Sequence, residues 1–152
     1  MSARLFPRWL TVTMGLVVGA LALSGFGQMP IFKRYYLADI PGMGWLAAYY
    51  VTNTIHYIGA AIFLGLLAYM VIVYLRSRAV GVRITASGAL RAGAVAIIVV
   101  TGILRVLKSR PDVYLGANTV FAVDLAHLAG VMLWGFLALA AAIVRRRPYV
   151  RV

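Results

Sequence analysis

Uncharged apolar runs long enough to cross a lipid bilayer are the feature that most constrains this chain. The longest extends from residue 45 to residue 75 without an Asp, Glu, Lys or Arg. About 20 apolar residues in a helix span the ~30 Å hydrocarbon core of a bilayer. Hydrophobic residues make up 64% of the 152 residues, whereas soluble domains contain about half. The sequence therefore predicts an integral membrane protein.

Four apolar runs, of which the first two are uncharged and the fourth is interrupted by Asp124 and His127, predict an all-α fold, a four-helix transmembrane bundle that forms a single membrane domain over residues 1–152. In the third run, Arg91 and Arg105 enclose only thirteen uncharged residues. A spanning helix must carry both arginines near its ends, where they snorkel or face a polar partner. The first run contains Gly15 and Gly19 in GxxxG spacing, which favours a retained, packed helix over the alternative of a cleaved signal peptide. The predicted spans are residues 9–27, 45–75, 86–107 and 118–144.

Basic residues predict the orientation of these helices. The net charge is +12, but the fifteen Lys and Arg are distributed between apolar runs, and a nucleic-acid surface would gather them into a stripe, so we expect no nucleic-acid partner. Ten lie on one side of the predicted topology and five on the other. The positive-inside rule then places both termini in the cytoplasm (N-in/C-in) and the loops 28–44 and 108–117 outside. We expect a multi-pass protein of the bacterial cytoplasmic (inner) membrane. The ten are Arg4, Arg8, Arg76, Arg78, Arg83, Arg91, Arg145, Arg146, Arg147 and Arg151, and the five are Lys33, Arg34, Arg105, Lys108 and Arg110.

Two histidines, the only ones in the chain, lie inside the second and fourth runs. The stretch between His56 and Arg76, the first charged residue after it, is nearly as long as the stretch between His127 and Arg145. At about 1.5 Å per helical residue the two imidazoles differ in depth by only about 3 Å. The chain has no cysteine, which excludes thiolate zinc sites and Cys-ligated iron–sulfur clusters. Two imidazoles at matching depth on different helices predict one haem b, with His56 and His127 as the axial ligands of its iron.

The neighbours of the histidines are consistent with this prediction. Gly59 and Gly130 each follow a histidine by three residues and share its helix face, so they leave room for a porphyrin. Arg105 and Lys108 lie at the outer end of the third span and are candidate partners for the haem propionates. Asp124, one turn before His127, is a candidate hydrogen-bond acceptor for the imidazole or an ion-pair partner for Arg105.

Simpler interpretations of the same residues remain open. Thr52, one turn before His56, is a second candidate hydrogen-bond acceptor, in this case for the imidazole of His56. The other residues have interpretations that involve no cofactor. A histidine in an apolar helix also occurs as a core residue hydrogen-bonded to a neighbouring helix, and glycines in membrane helices are common packing positions. Arg105 and Lys108 also suit interfacial anchors. A copper or zinc site built from two histidines and methionines is chemically open, although a dry site with two imidazoles suits haem better.

The order of several motifs resembles a known family. "SG" at residues 24–25 ends the first span, "GWLAAYYVTNTIH" at residues 44–56 leads into the second, and a histidine lies in the fourth. This order resembles the four-helix cytochrome b subunits of respiratory formate dehydrogenases and the related b561-like nickel hydrogenase subunits, over most of the chain. The resemblance implies a gamma-type subunit that holds haem b. It would relay electrons between the quinone pool and an iron–sulfur or cytochrome c partner subunit.

The resemblance also implies a departure from that family. Its members usually hold two haems, and the histidines of the second and fourth helices that hold the outer haem match His56 and His127. The inner haem uses a histidine early in the first helix and another further along the fourth. Here those places read "RWLTVT" and "ALAAAI". The resemblance therefore implies that only the outer haem is kept, and it puts the family's cytoplasm-side quinone site in doubt.

A second resemblance supports an alternative function. "VVTGILRVLKSRPDVYLGANTVF" at residues 99–121 is similar to a pattern in small bacterial membrane proteins and, distantly, in copper-resistance D-like proteins.

The function that we expect from the sequence is that of an electron-transfer subunit of a respiratory oxidoreductase complex, without catalytic residues of its own. The alternatives are a haem-free structural or assembly subunit, and a metal-handling or transport protein whose pathway would include Arg91, Arg105 and Asp124.

Overall fold

The computed structural model describes residues 5–29, 32, 37–144 and 149–151 of this chain. Its four long helices are α1 (Arg8–Gly27), α2 (Tyr49–Arg78), α3 (Ala86–Leu107) and α4 (Ala117–Ile143). Each is long and apolar enough to cross a membrane, which confirms the prediction of an all-α membrane protein with four spans. Of the basic residues that predict the orientation, those outside the described residues are Arg4, Lys33, Arg34, Arg145, Arg146 and Arg147.

The helix boundaries follow the apolar runs closely. The predicted third span, residues 86–107, coincides with α3. The second was predicted to begin at residue 45, but α2 begins at Tyr49, because Gly44–Ala47 forms a short 3-10 helix and Ala48 is extended. With 30 residues, α2 is about 45 Å long, so it exceeds the ~30 Å hydrocarbon core and must tilt or protrude.

The turn between α2 and α3 has clear local causes. Arg76 and Arg78 lie in the last turn of α2, where cations interact favourably with the helix dipole. Gly81 has a φ of +92°, a left-handed conformation that favours glycine. Thr85 then caps α3 by accepting a hydrogen bond from the backbone N–H of Gly88 at 2.9 Å.

The chain divides into two compact units, residues 1–80 and 81–152. In the first unit α1 and α2 form an antiparallel hairpin. Trp9, near the start of α1, lies 6.2 Å from Tyr69, near the end of α2, measured between ring centroids. At the opposite end Gly27 is buried against the backbone of Leu46.

The GxxxG pattern of α1 does not contribute to this packing. A Cβ built on Gly15 or Gly19 would meet no atom within 4 Å. These two positions therefore do not pack against α2, and the helix packing that the pattern predicts stays a prediction. The small residues of α1 that approach α2 are Gly25 and Gly27 instead.

In the second unit α3 and α4 form another antiparallel hairpin, and the C-terminal segment, residues 149–151, lies at one end of it. A two-residue strand, Val150–Arg151, pairs antiparallel with Arg83–Ile84. Tyr149 accepts a hydrogen bond from the Thr85 N–H at 2.9 Å through its carbonyl. Its ring stacks on Arg91, whose Cζ lies 3.7 Å from the ring centroid. Arg91 is only 6% exposed. Of the two alternatives that the sequence left open, snorkelling or facing a partner, the structure therefore shows the second for Arg91.

Large apolar side chains cover the outer surfaces of these helices. Leu16 is 71% exposed, Phe136 65% and Ile143 72%. Such exposure is normal when the solvent is lipid, since the helices satisfy their own backbone hydrogen bonds and apolar side chains face the acyl chains.

Candidate functional site

His56 lies in the first half of α2 and faces the C-terminal half of α1. Its Nδ1 atom is 2.9 Å from the hydroxyl of Ser24, and Ser24 is only 1% exposed. The hydroxyl also donates to the carbonyl of Ala20 at 2.7 Å. Next to Ser24, Gly25 lets the imidazole approach the backbone of α1, because a Cβ at this position would lie 3.3 Å from Cε1 of His56.

His127 has the same environment in the second unit. Its Nδ1 atom is 3.0 Å from the hydroxyl of Thr101 in α3. That hydroxyl donates to the carbonyl of Ile97 at 2.6 Å. The next residue is again a glycine, and a Cβ on Gly102 would lie 3.4 Å from Cε1 of His127. Each histidine thus has a hydroxyl and a glycine of the neighbouring helix against the Nδ1–Cε1 edge of its ring.

We call this set of residues the hydroxyl–imidazole module. The first module consists of Ser24, Gly25 and His56, and the second of Thr101, Gly102 and His127. The two have the same chain order and the same ring edge against the partner helix, and their hydroxyl-to-Nδ1 distances are 2.9 Å and 3.0 Å. The modules therefore place two imidazoles equivalently, each within its own helical hairpin.

Gly59 and Gly130 complete the packing of each hairpin. A Cβ on Gly59 would lie 3.2 Å from Cδ2 of Leu21, and a Cβ on Gly130 would lie 3.1 Å from Cγ1 of Ile98. Leu21 and Ile98 each precede the hydroxyl residue of their module by three positions. The interpretation of both glycines as helix-packing residues is confirmed, and their contact with a porphyrin stays a prediction.

Asp124 is an ion-pair partner of the cations at the end of α3. Arg105 Nε lies 3.0 Å from its Oδ1 atom, and Lys108 Nζ lies 2.6 Å from Oδ2. The expected pair with Arg105 is confirmed, and Lys108 joins it. This cluster contains two cations and one carboxylate, so it keeps one positive charge in excess. The carboxylate is about two-fifths exposed, which limits the strength of the pairs.

The acceptors expected from the sequence are directed elsewhere. The hydroxyl of Thr52 donates to the carbonyls of Ala48 and Tyr49 in its own helix. The carboxylate of Asp124 is held by its two cations. The Nδ1 atoms of the histidines are hydrogen-bonded by Ser24 and Thr101 instead.

Reasoning from the sequence alone therefore missed the four residues that contact the imidazoles, which are Ser24, Gly25, Thr101 and Gly102. A signal for them was present, because a hydroxyl residue followed by glycine occurs in "SG" at residues 24–25 and in "TG" at residues 101–102. Each dipeptide precedes a helix that carries H-x-x-G. Aligning the two halves on this order would have identified the modules.

Metal ions and haem differ in the number of protein ligands that they take. Among the described residues no group of three or more His, Cys, Asp or Glu is close enough to bind a metal ion. A bare divalent zinc or copper ion usually takes three or four protein ligands. Haem iron takes four nitrogens from the porphyrin and requires only two axial ligands from protein. In each module Nδ1 bonds to a hydroxyl, so Nε2 is the nitrogen suited to ligation.

Comparison with known proteins adds no relative. The chain matches no protein family, no curated protein and no solved structure.

Proposed function

We propose that this protein is a b-type cytochrome subunit of a respiratory oxidoreductase complex, with His56 and His127 as the axial ligands of one haem. The observation that carries the proposal is the repeated hydroxyl–imidazole module. A ligand histidine commonly donates its second ring nitrogen to a protein acceptor, which orients the ring. Both histidines of this chain have a hydroxyl at hydrogen-bonding distance from Nδ1, and both lie in helices apolar enough to cross a membrane.

The chemistry that a bound haem would supply is one-electron transfer at an iron held by two imidazoles. The residues of the chain hold the rings, exclude water and balance charge. Arg105 and Lys108 keep one positive charge in excess after pairing with Asp124. We propose that this excess charge faces the haem propionates at the outer end of the hairpin.

The proposal includes the location and the orientation of the subunit. We propose N-in/C-in insertion in the bacterial cytoplasmic membrane, on the asymmetry of Lys and Arg. The partners would be a quinone or quinol in the lipid and an iron–sulfur or cytochrome c subunit docked at the outer loops. Four apolar helices support the lipid bilayer as the common environment of these partners.

The decisive experiment is a dithionite-reduced minus oxidised spectrum of the purified protein, with haem quantified as the pyridine haemochrome. We expect one low-spin b-type haem per chain, lost in both His56→Ala and His127→Ala. The matched controls are Ile58→Ala and Leu128→Ala, which alter lipid-exposed neighbours on the same helices and should keep the haem.

Full haem content in both histidine variants would exclude this ligation. A wild-type protein without haem would exclude the proposal itself. In that case copper and zinc analysis of the same sample would test the metal-handling alternative, since copper(I) accepts two ligands.

A further inference from the structure

We propose that Ser24 and Thr101 are positioning residues that hold His56 and His127 in the Nδ1–H tautomer, with the ring lone pair on Nε2. The tautomer follows from the hydrogen bonds within each hairpin. Only its consequence for the potential of an iron rests on the proposed function, so the two can fail separately.

The argument starts from the single proton of the Ser24 hydroxyl. This oxygen lies 2.7 Å from the carbonyl oxygen of Ala20 and 3.2 Å from that of Leu21. A carbonyl oxygen only accepts, so the proton is directed to these two atoms. Otherwise two oxygens with lone pairs would face each other at hydrogen-bonding distance with no proton between them. The third contact, to Nδ1 of His56 at 2.9 Å, must then use a lone pair of the hydroxyl, and Nδ1 must donate.

The second module gives the same result independently. The hydroxyl of Thr101 lies 2.6 Å from the carbonyl oxygen of Ile97 and 3.2 Å from that of Ile98. Its contact to Nδ1 of His127 is 3.0 Å. The proton is again used on the backbone, so Nδ1 of His127 is the donor. A neutral imidazole carries one N–H proton, which leaves the lone pair on Nε2 in both rings.

The choice of a hydroxyl as acceptor has a chemical consequence. Ser24 and Thr101 are 1% and 8% exposed, so water has little access to replace them. A hydroxyl is a neutral acceptor and withdraws less of the Nδ1 proton than a carboxylate would. Asp124, the carboxylate nearest His127 in the sequence, is held by Arg105 and Lys108. The modules therefore supply neutral imidazoles that are oriented but only moderately enriched in electron density.

The first test reads the tautomer and requires no haem. The full-length chain is labelled with ¹⁵N-histidine and reconstituted in lipid nanodiscs, where the two histidines give two sets of ring resonances. We expect a one-bond proton coupling on Nδ1 and none on Nε2 for both rings. In Thr101→Val the Nδ1–H population of His127 should fall while His56 is unchanged, and Ser24→Ala should do the reverse. Ser24→Thr and Thr101→Ser keep the hydroxyl and should keep the wild-type spectrum.

The second test applies to the haem-loaded protein. The bond from Nδ1–H to the hydroxyl stabilises the ferric state, so its loss should raise the midpoint potential. We expect Thr101→Val to change the ferric-to-ferrous ratio by up to about tenfold at fixed potential, equivalent to about 59 mV for one electron. Thr101→Ser should match the wild type, and haem content should be equal in all three.

The outcomes separate the two proposals. An Nε2–H tautomer in the haem-free wild type would overturn the inference. Equal potentials in Thr101→Val and the wild type would overturn the tuning role. Absence of haem with the Nδ1–H tautomer intact would overturn the proposed function and leave the inference standing.

Discussion

Replacing the glycine beside each imidazole should destabilise its hairpin and displace the ring. In Gly25→Val the Cβ would lie 3.3 Å from Cε1 of His56, short of the 3.5–4.0 Å of an optimal carbon contact. The two γ-methyl groups add volume to a site already in contact. Overpacking of this kind costs about 1–3 kcal/mol, and disturbing the bond to Ser24 costs about 1 kcal/mol more. The better helix propensity of valine over glycine recovers less than about 1 kcal/mol.

The net expectation is a loss of about 2 kcal/mol in the free energy of unfolding, roughly 30-fold in the equilibrium constant. Gly19→Val is the matched control in the same helix, because a Cβ there meets nothing within 4 Å. It should change stability by less than about 0.5 kcal/mol. In the second hairpin Gly102→Val and its control Gly93→Val should show the same contrast.

The measurement is reversible unfolding in mixed detergent micelles, followed by far-UV circular dichroism. The Nδ1 resonance of His56 is recorded on the same sample and should shift in Gly25→Val only. Equal unfolding free energies for Gly25→Val and Gly19→Val would refute the reasoning, because the close approach of ring and backbone would then carry no steric cost.

Three further changes test other contacts. Gly27→Ala should lower the free energy of unfolding by about 2 kcal/mol in the same assay, because its Cβ would lie 2.7 Å from the backbone oxygen of Leu46. A backbone atom cannot move away by changing rotamer, as a side chain can. An unchanged stability would contradict this expectation. Asp124→Asn should cost no more than about 1 kcal/mol at low salt, because the pairs are partly exposed, and the difference from wild type should shrink in 0.5 M salt; a salt-independent loss would argue against ion pairing. Arg91→Met should lower stability by about 2 kcal/mol, because it removes a desolvated cation–π contact with Tyr149. It should also speed proteolysis of the C-terminal segment. Cleavage at the wild-type rate would show that this contact does not hold the segment.

The extent of each helix could be predicted from the sequence, because it depends on local properties. An apolar run with its charged residues near the ends predicts a span whatever lies beside it, and residues 86–107, which carry Arg91 and Arg105, coincide with α3. The largest shift, four residues, occurred before Tyr49. There an extended Ala48 separates a short 3-10 helix from α2, and hydropathy carries no information about such a break.

The partners of the histidines could not be predicted in the same way. Which residue of α1 faces His56 depends on the rotation and register of two helices, which no property of either helix alone determines. Sequence reasoning therefore placed acceptors one turn away on the same helix, at Thr52 and Asp124. Both of these side chains are satisfied by other groups. For the same reason the GxxxG pattern of α1 did not indicate which residues approach α2, since a small residue permits close packing without specifying its partner.

The requirements of hydroxyl and imidazole explain why the pairing itself is informative. A hydroxyl in an apolar helix needs no second partner, because it donates to its own backbone, as Ser77 does to Val73 at 2.8 Å. An imidazole N–H has no such local acceptor and is costly to leave unpaired in lipid. A single structural histidine would require one hydroxyl placed in this way. This chain places two, with the same ring edge engaged and with a glycine following each hydroxyl. Packing alone explains either module, and the proposed haem, which would need two equivalent Nε2 ligands, would explain why the arrangement occurs in both hairpins.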